Sequence, residues 1–186
     1  MLKCDVPRAV KRCHHDGMRT LLASIASLTL IAALPAADGL LPDATTVLAT
    51  GTVANCQVSL VDVEGRQGKV LRFQVAEVPK EGWMSHAYAY GVEIPVKTGE
   101  TVEITGWSRL VDGTEGAIKV DLSESERPYA AVVTGWIMPV AGHWRQFSMK
   151  GVATKDMSQV RFGLCVGYRK QTVEVAEIAI RKVGSP

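Results

Sequence analysis

The chain has 186 residues, of which 47% are hydrophobic and 6% aromatic, and a formal net charge of +2. This length predicts one domain with a short additional segment, because domains commonly contain about 100 to 200 residues. The additional segment is N-terminal, where basic residues precede an apolar run at 21–37. Removing residues 1–36 takes away five of the 21 basic and two of the 19 acidic residues. The near balance that is left argues against a surface for nucleic acid or anionic membrane.

The N-terminal segment has the order of a secretory signal: basic residues, an apolar run and then small residues. We expect cleavage after Ala36, with Met18 as a second candidate start of the chain. A membrane anchor is the alternative, but an anchor needs about 20 apolar residues, and the run at 21–37 is shorter and contains three hydroxyl residues. The sequence therefore predicts a signal peptide at 1–36 and an exported domain, which is secreted or held in the periplasm or cell envelope and has no membrane contact after cleavage.

Beyond a connector at 37–52, short segments rich in Val, Ile and aromatic residues alternate with Gly, Pro and Asp turns, and no long stretch has the apolar spacing of an amphipathic helix. The last segment changes phase between Val175 and Ile178, which predicts a bulge near Ala176. Strands are predicted at 53–63, 69–78, 84–94, 101–110, 117–122, 130–137, 144–153, 159–167 and 172–181. Strands of this number and spacing predict an all-β fold at 53–183, an antiparallel β-sandwich of the jelly-roll type.

The segment 101–110 has the clearest alternation in the chain. Val102 and Ile104 are expected to face the core, whereas Trp107 and Arg109 fall on the opposite face. An aromatic ring beside a guanidinium suits a polyhydroxylated ligand, which stacks on the ring and hydrogen-bonds the cation. The alternative is a solvated outer face that carries a single Trp, since sheets with one wet face are common.

Two cysteines, Cys56 and Cys165, follow the predicted signal. In an oxidising compartment such a pair favours a disulfide. Strand phase argues against it, because Cys56 is in phase with Val58, whereas Cys165 is out of phase with Leu164. The sequence therefore does not decide whether Cys56 and Cys165 form a disulfide. Neither cysteine has the spacing of a zinc site.

The strand segments resemble the carbohydrate-binding modules of the CenC-type, galactose-binding-like jelly-roll group. In that group one strand reads G-K-x-x-L-x-V and a later one V-x-x-G-K-x-Y-x-L-x-F-W-A-R, and a further strand opens with a Trp followed three residues on by an aromatic, here Trp144 and Phe147. The resemblance covers 53–183 and rests on GKVLRFQV, VKTGETVEITGWSRL, PYAAVV, HWRQFSM, VRFGLCVG and VEVAEIAI. It implies a jelly roll that binds polysaccharide. Ala176 and Glu177 stand where the family often has an Asp tied to calcium, so we expect no metal and no cofactor.

The candidate ligand-binding residues are aromatic side chains on or beside the strands, with two charged neighbours. For each of them the alternative is packing in the core or at a sheet edge, and packing is the favoured interpretation for Trp144, which matches a structural position of the family. The candidates are Trp83, Tyr88, Glu103, Trp107, Arg109, Tyr129 and Trp136.

Catalysis has little support in the sequence. His86 and His143 are the histidines left after signal cleavage, and neither has a metal-binding spacing; a nucleophile elbow is also absent. Glu103 and Asp121 are a possible carboxylate pair for glycoside cleavage if they face the same way on neighbouring strands. We expect a non-catalytic module that binds a polysaccharide. The alternative is a structural or adhesive cell-envelope domain that makes protein contacts.

Overall fold

A computed structural model describes residues 55–92 and 95–183. For residues 88–92 it describes the backbone and not the side chains. The predicted signal peptide and the whole connector at 37–52 lie outside the described residues. No helix within the described ranges is long and apolar enough to cross a membrane. A short 3-10 turn at Gly82–Met84 precedes the third strand. The strands are β1 (Cys56–Val61), β2 (Val70–Val75), β3 (His86–Val92), β4 (Thr101–Asp112), β5 (Ile118–Glu124), β6 (Ala131–Ile137), β7 (Arg145–Val152), β8 (Val160–Cys165) and β9 (Gln171–Lys182).

These strands form two antiparallel sheets, so the predicted jelly-roll sandwich is confirmed. One sheet has five strands in the order β1-β2-β9-β4-β7, and the other has four in the order β3-β8-β5-β6. Neighbouring strands within each sheet run antiparallel. Both sheets therefore have an inner face toward the other sheet and an outer face.

The core lies between the inner faces and follows from the alternation of apolar residues along the strands. In β4 the side chains of Val102 and Ile104 are fully buried, as predicted, whereas Trp107 and Arg109 on the opposite face are half-buried. In β5 the apolar residues at 118, 120 and 122 are buried in the same core. The residues that alternate with these buried residues along each strand consequently lie on the outer faces.

The predicted irregularity in the last strand is a β-bulge. Thr105 pairs with Ala179, but Trp107, two residues later, pairs with Ala176, so β9 contains one additional residue. Within the bulge Glu177 has a φ of +51°. The extra residue restores the inward direction of the apolar side chains, so that residues 173 and 175 before the bulge and 178 and 180 after it are all buried.

No disulfide joins Cys56 and Cys165. Cys56 lies in the five-stranded sheet and packs against the core, where burial raises the pKa of its thiol to about 11. Cys165 lies in the four-stranded sheet and lines a cleft on its outer face. The phase of the two strands, which argued against a bridge, therefore described their directions correctly.

The proposed pairing of Glu103 with Asp121 is wrong. Glu103 belongs to β4 in the five-stranded sheet, whereas Asp121 belongs to β5 in the four-stranded sheet. Both side chains point away from the core, so they lie on opposite outer faces of the sandwich. The alternation along each strand predicts the outward direction of both side chains correctly, but β4 and β5, which follow each other in sequence, belong to different sheets.

Candidate functional site

A cleft of about 440 Å³ opens on the outer face of the four-stranded sheet. Its walls come from β3, β5 and β8 and from the segments that lead into β3 and β6 or leave β8. The cleft combines aromatic rings with charged and polar groups: Trp83, His86, Lys119, Asp121, Tyr129, Arg161, Cys165 and Tyr168.

Trp83 is held at one side of the cleft by hydrogen bonds around the 3-10 turn. The amide of Gly167 donates to the carbonyl of Gly82 at 3.1 Å, and the amide of Val166 donates to that of Ser85 at 2.8 Å. Nδ1 of His86 lies 2.6 Å from the Trp83 carbonyl oxygen and therefore carries the hydrogen of this bond. The turn is thus fixed to the end of β8, while the Trp83 side chain remains 56% exposed.

Tyr168 lies against the same turn. A Cβ at Gly82 would be 2.2 Å from a Tyr168 ring carbon, so a glycine is needed for the ring to lie there. Tyr168 also meets Trp136 edge to face, with ring centroids 4.6 Å apart. Burial raises the pKa of the Tyr168 hydroxyl, and the neighbouring negative charge of Asp121 adds to this effect. The phenol therefore keeps its proton and can donate a hydrogen bond to a ligand.

Tyr129 and a polar chain form the opposite side of the cleft. Tyr129 has a φ of +60°, uncommon for a tyrosine, and its amide donates to the Glu126 carbonyl at 2.8 Å. The Arg161 guanidinium lies 4.4 Å from the centre of the Tyr129 ring. Arg161 Nε donates to Ser123 Oγ at 3.2 Å, and Ser123 Oγ donates to Asp121 Oδ2 at 2.7 Å. The ring is thereby held in place while Tyr129 remains 42% exposed.

The outer face of the five-stranded sheet also carries aromatic and charged residues, but these contact one another. Glu174 is fully buried between Arg72 of β2 and Arg109 of β4, its cross-strand partners. Arg72 Nε donates to Glu174 Oε1 at 2.8 Å, and Arg109 Nε donates to Oε2 at 2.6 Å. Glu174 is therefore paired with a guanidinium on each side.

Trp107 and Trp144 lie on this same face and stack with arginines. The guanidinium of Arg66, from the β1–β2 turn, lies 4.4 Å from the Trp107 ring centre and 4.8 Å from that of Trp144. Arg109 lies 4.8 Å from the Trp144 ring centre as well. Trp144 is half-buried just before the edge strand β7, so it packs at the edge of the sheet and outside the hydrophobic core.

Glu103 forms a second cross-strand group on the same face, with Lys150 of β7 and Arg181 of β9. Arg181 Nε donates to Glu103 Oε2 at 2.7 Å, and Ser148 Oγ donates to Oε1 at 2.8 Å. Desolvation alone would raise the pKa of Glu103, but these hydrogen bonds and the nearby cations lower it overall. Glu103 is therefore an ionised structural carboxylate.

The seven predicted ligand-binding residues do not form one site. Trp83 and Tyr129 line the cleft, and Trp136 adjoins it through Tyr168. Glu103, Trp107 and Arg109 lie on the outer face of the other sheet. The side chain of Tyr88 lies outside the described residues. The cleft residues that sequence reasoning did not select are His86, Lys119, Asp121, Arg161, Cys165 and Tyr168.

A signal for two of these missed residues was present in the sequence. Lys119 and Asp121 alternate with the buried apolar residues of β5, so the strand pattern already placed them on an outer face. Tyr168 had no such signal, because it lies in the turn after β8. Within the described ranges, no cluster of three or more His, Cys, Asp or Glu side chains has the arrangement of a metal site.

No protein-family model matches the chain, and no curated protein matches its sequence. Several solved structures, however, are similar to the chain in fold. The CBM22-1 xylan-binding domain of Paenibacillus barcinonensis Xyn10C has a TM-score of 0.54 at 17% identity, covering 80% of this chain and 97% of that one. A CBM4 structure has a TM-score of 0.53 at 15% identity, covering 68% of this chain and 78% of that one.

An arabinose-bound GH51 α-L-arabinofuranosidase, MgGH51, is also similar, with a TM-score of 0.55 at 15% identity. That match covers 77% of this chain but 25% of the enzyme chain. At these identities the likeness concerns the fold. The chain therefore has the jelly-roll β-sandwich architecture that carbohydrate-binding modules of these two classes share.

Proposed function

We propose that this protein is an exported, non-catalytic carbohydrate-binding module of the CenC type and that its glycan ligand binds in the cleft of the four-stranded sheet. One observation carries the proposal: large aromatic side chains stand open to solvent around a single cleft. Trp83 is 56% exposed, Tyr129 42% and Trp136 53%. Export rests on the order of residues in the predicted signal at 1–36.

Open aromatic rings beside polar groups suit a sugar because a pyranose has both apolar faces and hydroxyl edges. The C–H face of the sugar stacks on an indole or phenol ring, while the hydroxyls need hydrogen-bonding partners. In the cleft, Asp121 offers acceptor oxygens, and Arg161 and Tyr168 offer donors. Because the turn that carries Trp83 is hydrogen-bonded to the end of β8 and the Tyr129 ring lies against Arg161, less conformational entropy is lost on binding than with unanchored loops.

The outer face of the five-stranded sheet is a poorer candidate because its rings and charges already have partners. Arg66 lies over both Trp107 and Trp144, in the position that a stacked sugar would take. Arg109 is held by the buried Glu174. A ligand on this face would first have to displace these contacts.

A role without catalysis is supported by the composition of the cleft. Glycosidases of the usual kind need two carboxylates flanking the scissile bond. Among the described residues that line the cleft, Asp121 is the one carboxylate, and its Oδ2 accepts a hydrogen bond from Ser123. The described lining residues therefore offer groups for recognition and do not include a second carboxylate to act as acid or base.

The test is to find a binding polysaccharide by glycan array with the full chain and then to titrate it against three variants. Trp83→Ala and Tyr129→Ala should each weaken binding by about 5- to 30-fold, because each removes a stacking ring. Trp107→Ala is the matched control. It removes the same type of ring from the other sheet and should leave binding unchanged, while lowering the free energy of unfolding by about 1 to 2 kcal/mol through loss of the Arg66 contact.

If Trp107→Ala abolishes binding by the folded protein and Trp83→Ala does not, the ligand uses the five-stranded face, and the cleft must be abandoned as the site. A denaturant melt of each variant separates loss of binding from loss of folding.

A structural or adhesive role is the second candidate, and one observation favours it. Met138 and Val140 are exposed at the edge where β6 approaches β7. Met138 and Trp136 line a second cavity there, of about 360 Å³. Exposed apolar side chains beside a groove are typical of protein contacts. Absence of binding to every glycan on the array would favour this role.

A further inference from the structure

Lys119 is one of the residues that line the cleft. It lies on β5 between its cross-strand partners Trp136 on β6 and Cys165 on β8. Its neighbours at 118 and 120 are buried in the core, so its side chain extends from the outer face into the cleft, where it is half-buried. A sugar stacked on the rings that line the cleft would therefore pass close to an ammonium group.

This ammonium has no carboxylate partner among the residues the structure describes, which sets it apart from the other lysines on strands. Lys150 pairs with Glu103 at 3.6 Å and Lys182 with Glu100 at 2.8 Å. The acid closest in sequence, Asp121, is engaged otherwise: its Oδ2 accepts from Ser123 at 2.7 Å and lies 3.9 Å from Arg161.

The charges of the residues that line the cleft do not cancel, and Glu81, whose charge also acts on Tyr168, is not one of those lining residues. Arg161 and Asp121 offset each other, and Lys119 adds a positive charge beside apolar ring surface. Solvent at such a position is partly displaced when a ligand stacks on the rings, and a cation then loses hydration unless the ligand supplies an anion. A neutral glycan would leave this cation without compensation.

We infer that the cleft recognises an anionic glycan, a polysaccharide with a carboxylate or sulfate group on its sugars, and that Lys119 pairs with this group. The inference rests on the proposed function and adds the chemical class of the ligand. Asp121 and Arg161 would then serve the hydroxyls, while Lys119 discriminates charged from neutral chains. Because the pair is partly exposed, its contribution should decrease as salt screens the charges.

The test compares each acidic polysaccharide with its own neutral form, so that backbone and linkage stay constant. Carboxylates are tested with polygalacturonate, alginate and glucuronoxylan beside their carboxyl-reduced forms. Sulfates are tested with κ-carrageenan beside its desulfated form, and neutral xylan and glucan complete the panel. The full chain should bind at least one acidic polymer about 5- to 20-fold more tightly than its neutral form at low ionic strength.

Lys119→Met removes the charge and keeps the length of the side chain, so it should abolish this preference while binding of the neutral form persists. Lys69→Met is the control, because it removes a lysine charge just before β2 of the other sheet, where Lys69 pairs with the exposed Asp62, and it should keep the preference. Equal or tighter binding of neutral forms, or an unchanged preference in Lys119→Met, overturns the inference and leaves the proposed function intact. Absence of binding to every polymer overturns both.

Discussion

The two outer faces of the sandwich contain the same kinds of residues, but on one face the rings and charges contact one another, and on the other the rings are exposed. On the five-stranded sheet, Arg66 lies between the rings of Trp107 and Trp144, and Glu174 is buried between two arginines. On the four-stranded sheet, Trp83 and Tyr129 leave much of their surface open beside a cleft. An aromatic ring beside an arginine can therefore offer a stacking surface only where one side of the ring is free.

The register between neighbouring strands decides whether the charged side chains of a face are paired with one another. Arg72, Glu174 and Arg109 are cross-strand partners on three adjacent strands, so opposite charges meet directly. On β5, Lys119 meets Trp136 and Cys165 across the strands, and neither of these is a carboxylate. One face is thereby stabilised by its own side chains, and the other keeps groups that a ligand can use.

The largest effect is expected at the centre of the self-paired face. Glu174→Gln removes a buried carboxylate and leaves Arg72 and Arg109 facing a neutral amide. We expect the free energy of unfolding to decrease by about 2 to 4 kcal/mol, because breaking a buried ion pair leaves uncompensated charge. Denaturant melts measure the loss, and glycan binding by the folded fraction should be unchanged.

Glu115→Gln is the control for this substitution. Glu115 pairs with Arg169 at 3.8 Å, with both side chains more than half exposed, so its loss should change stability by less than about 0.5 kcal/mol. If Glu174→Gln is as mild as the control, the central pair contributes little, and the two faces differ less than proposed.

The second prediction concerns the turn that holds Trp83 at the cleft. A methyl group at Gly82 would lie 2.2 Å from a carbon of the Tyr168 ring, so Gly82→Ala must displace either the ring or the turn. We expect glycan binding to weaken by about 10-fold, with a stability loss of about 1 to 3 kcal/mol typical of overpacking. Titration and a denaturant melt of the same sample measure the two effects.

Gly135→Ala provides a matched glycine substitution. Its Cβ would lie 2.8 Å from Sδ of Met149, the flexible end of a side chain that can move. Binding should therefore be retained in Gly135→Ala. Equal binding by the Gly82→Ala protein would show that the Trp83 turn is not part of the site.

The fold was predictable from the sequence because alternation of apolar residues is a local signal. Val102 and Ile104 identify the inner face of β4 without knowledge of any other strand, and the phase change near Ala176 identified the bulge. The order of strands in the sheets is not local. For that reason Glu103 and Asp121, on strands consecutive in the chain, were assigned to one surface although they lie on opposite faces.

The site was predictable in part for the same reason. Exposed rings such as Trp83 and Tyr129 could be selected by residue type, but whether a ring is already covered depends on residues far away in sequence. Arg66 comes from a turn about 40 residues before Trp107, and no local pattern indicates that the two meet. Such contacts depend on the register of the strands, which the sequence of one strand does not contain.

The smallest effect is expected at Glu103, the second paired carboxylate of the five-stranded face. Its pKa in the folded protein lies below the ordinary value of 4.5, because the hydrogen bonds from Ser148 and Arg181 and the nearby cations together outweigh the opposing desolvation. Ionised Glu103 therefore stabilises the fold above about pH 4.5, and this contribution is lost as the pH falls through the lowered pKa.

Glu103→Gln should cost about 1 kcal/mol at pH 7, since both cationic partners reach solvent. The difference between wild type and variant should shrink steadily below pH 4.5 in denaturant melts across the acid range. A difference that is constant with pH would mean that Glu103 acts through packing and not through its charge. The pairing that distinguishes this face from the cleft would then be reduced to the group around Glu174.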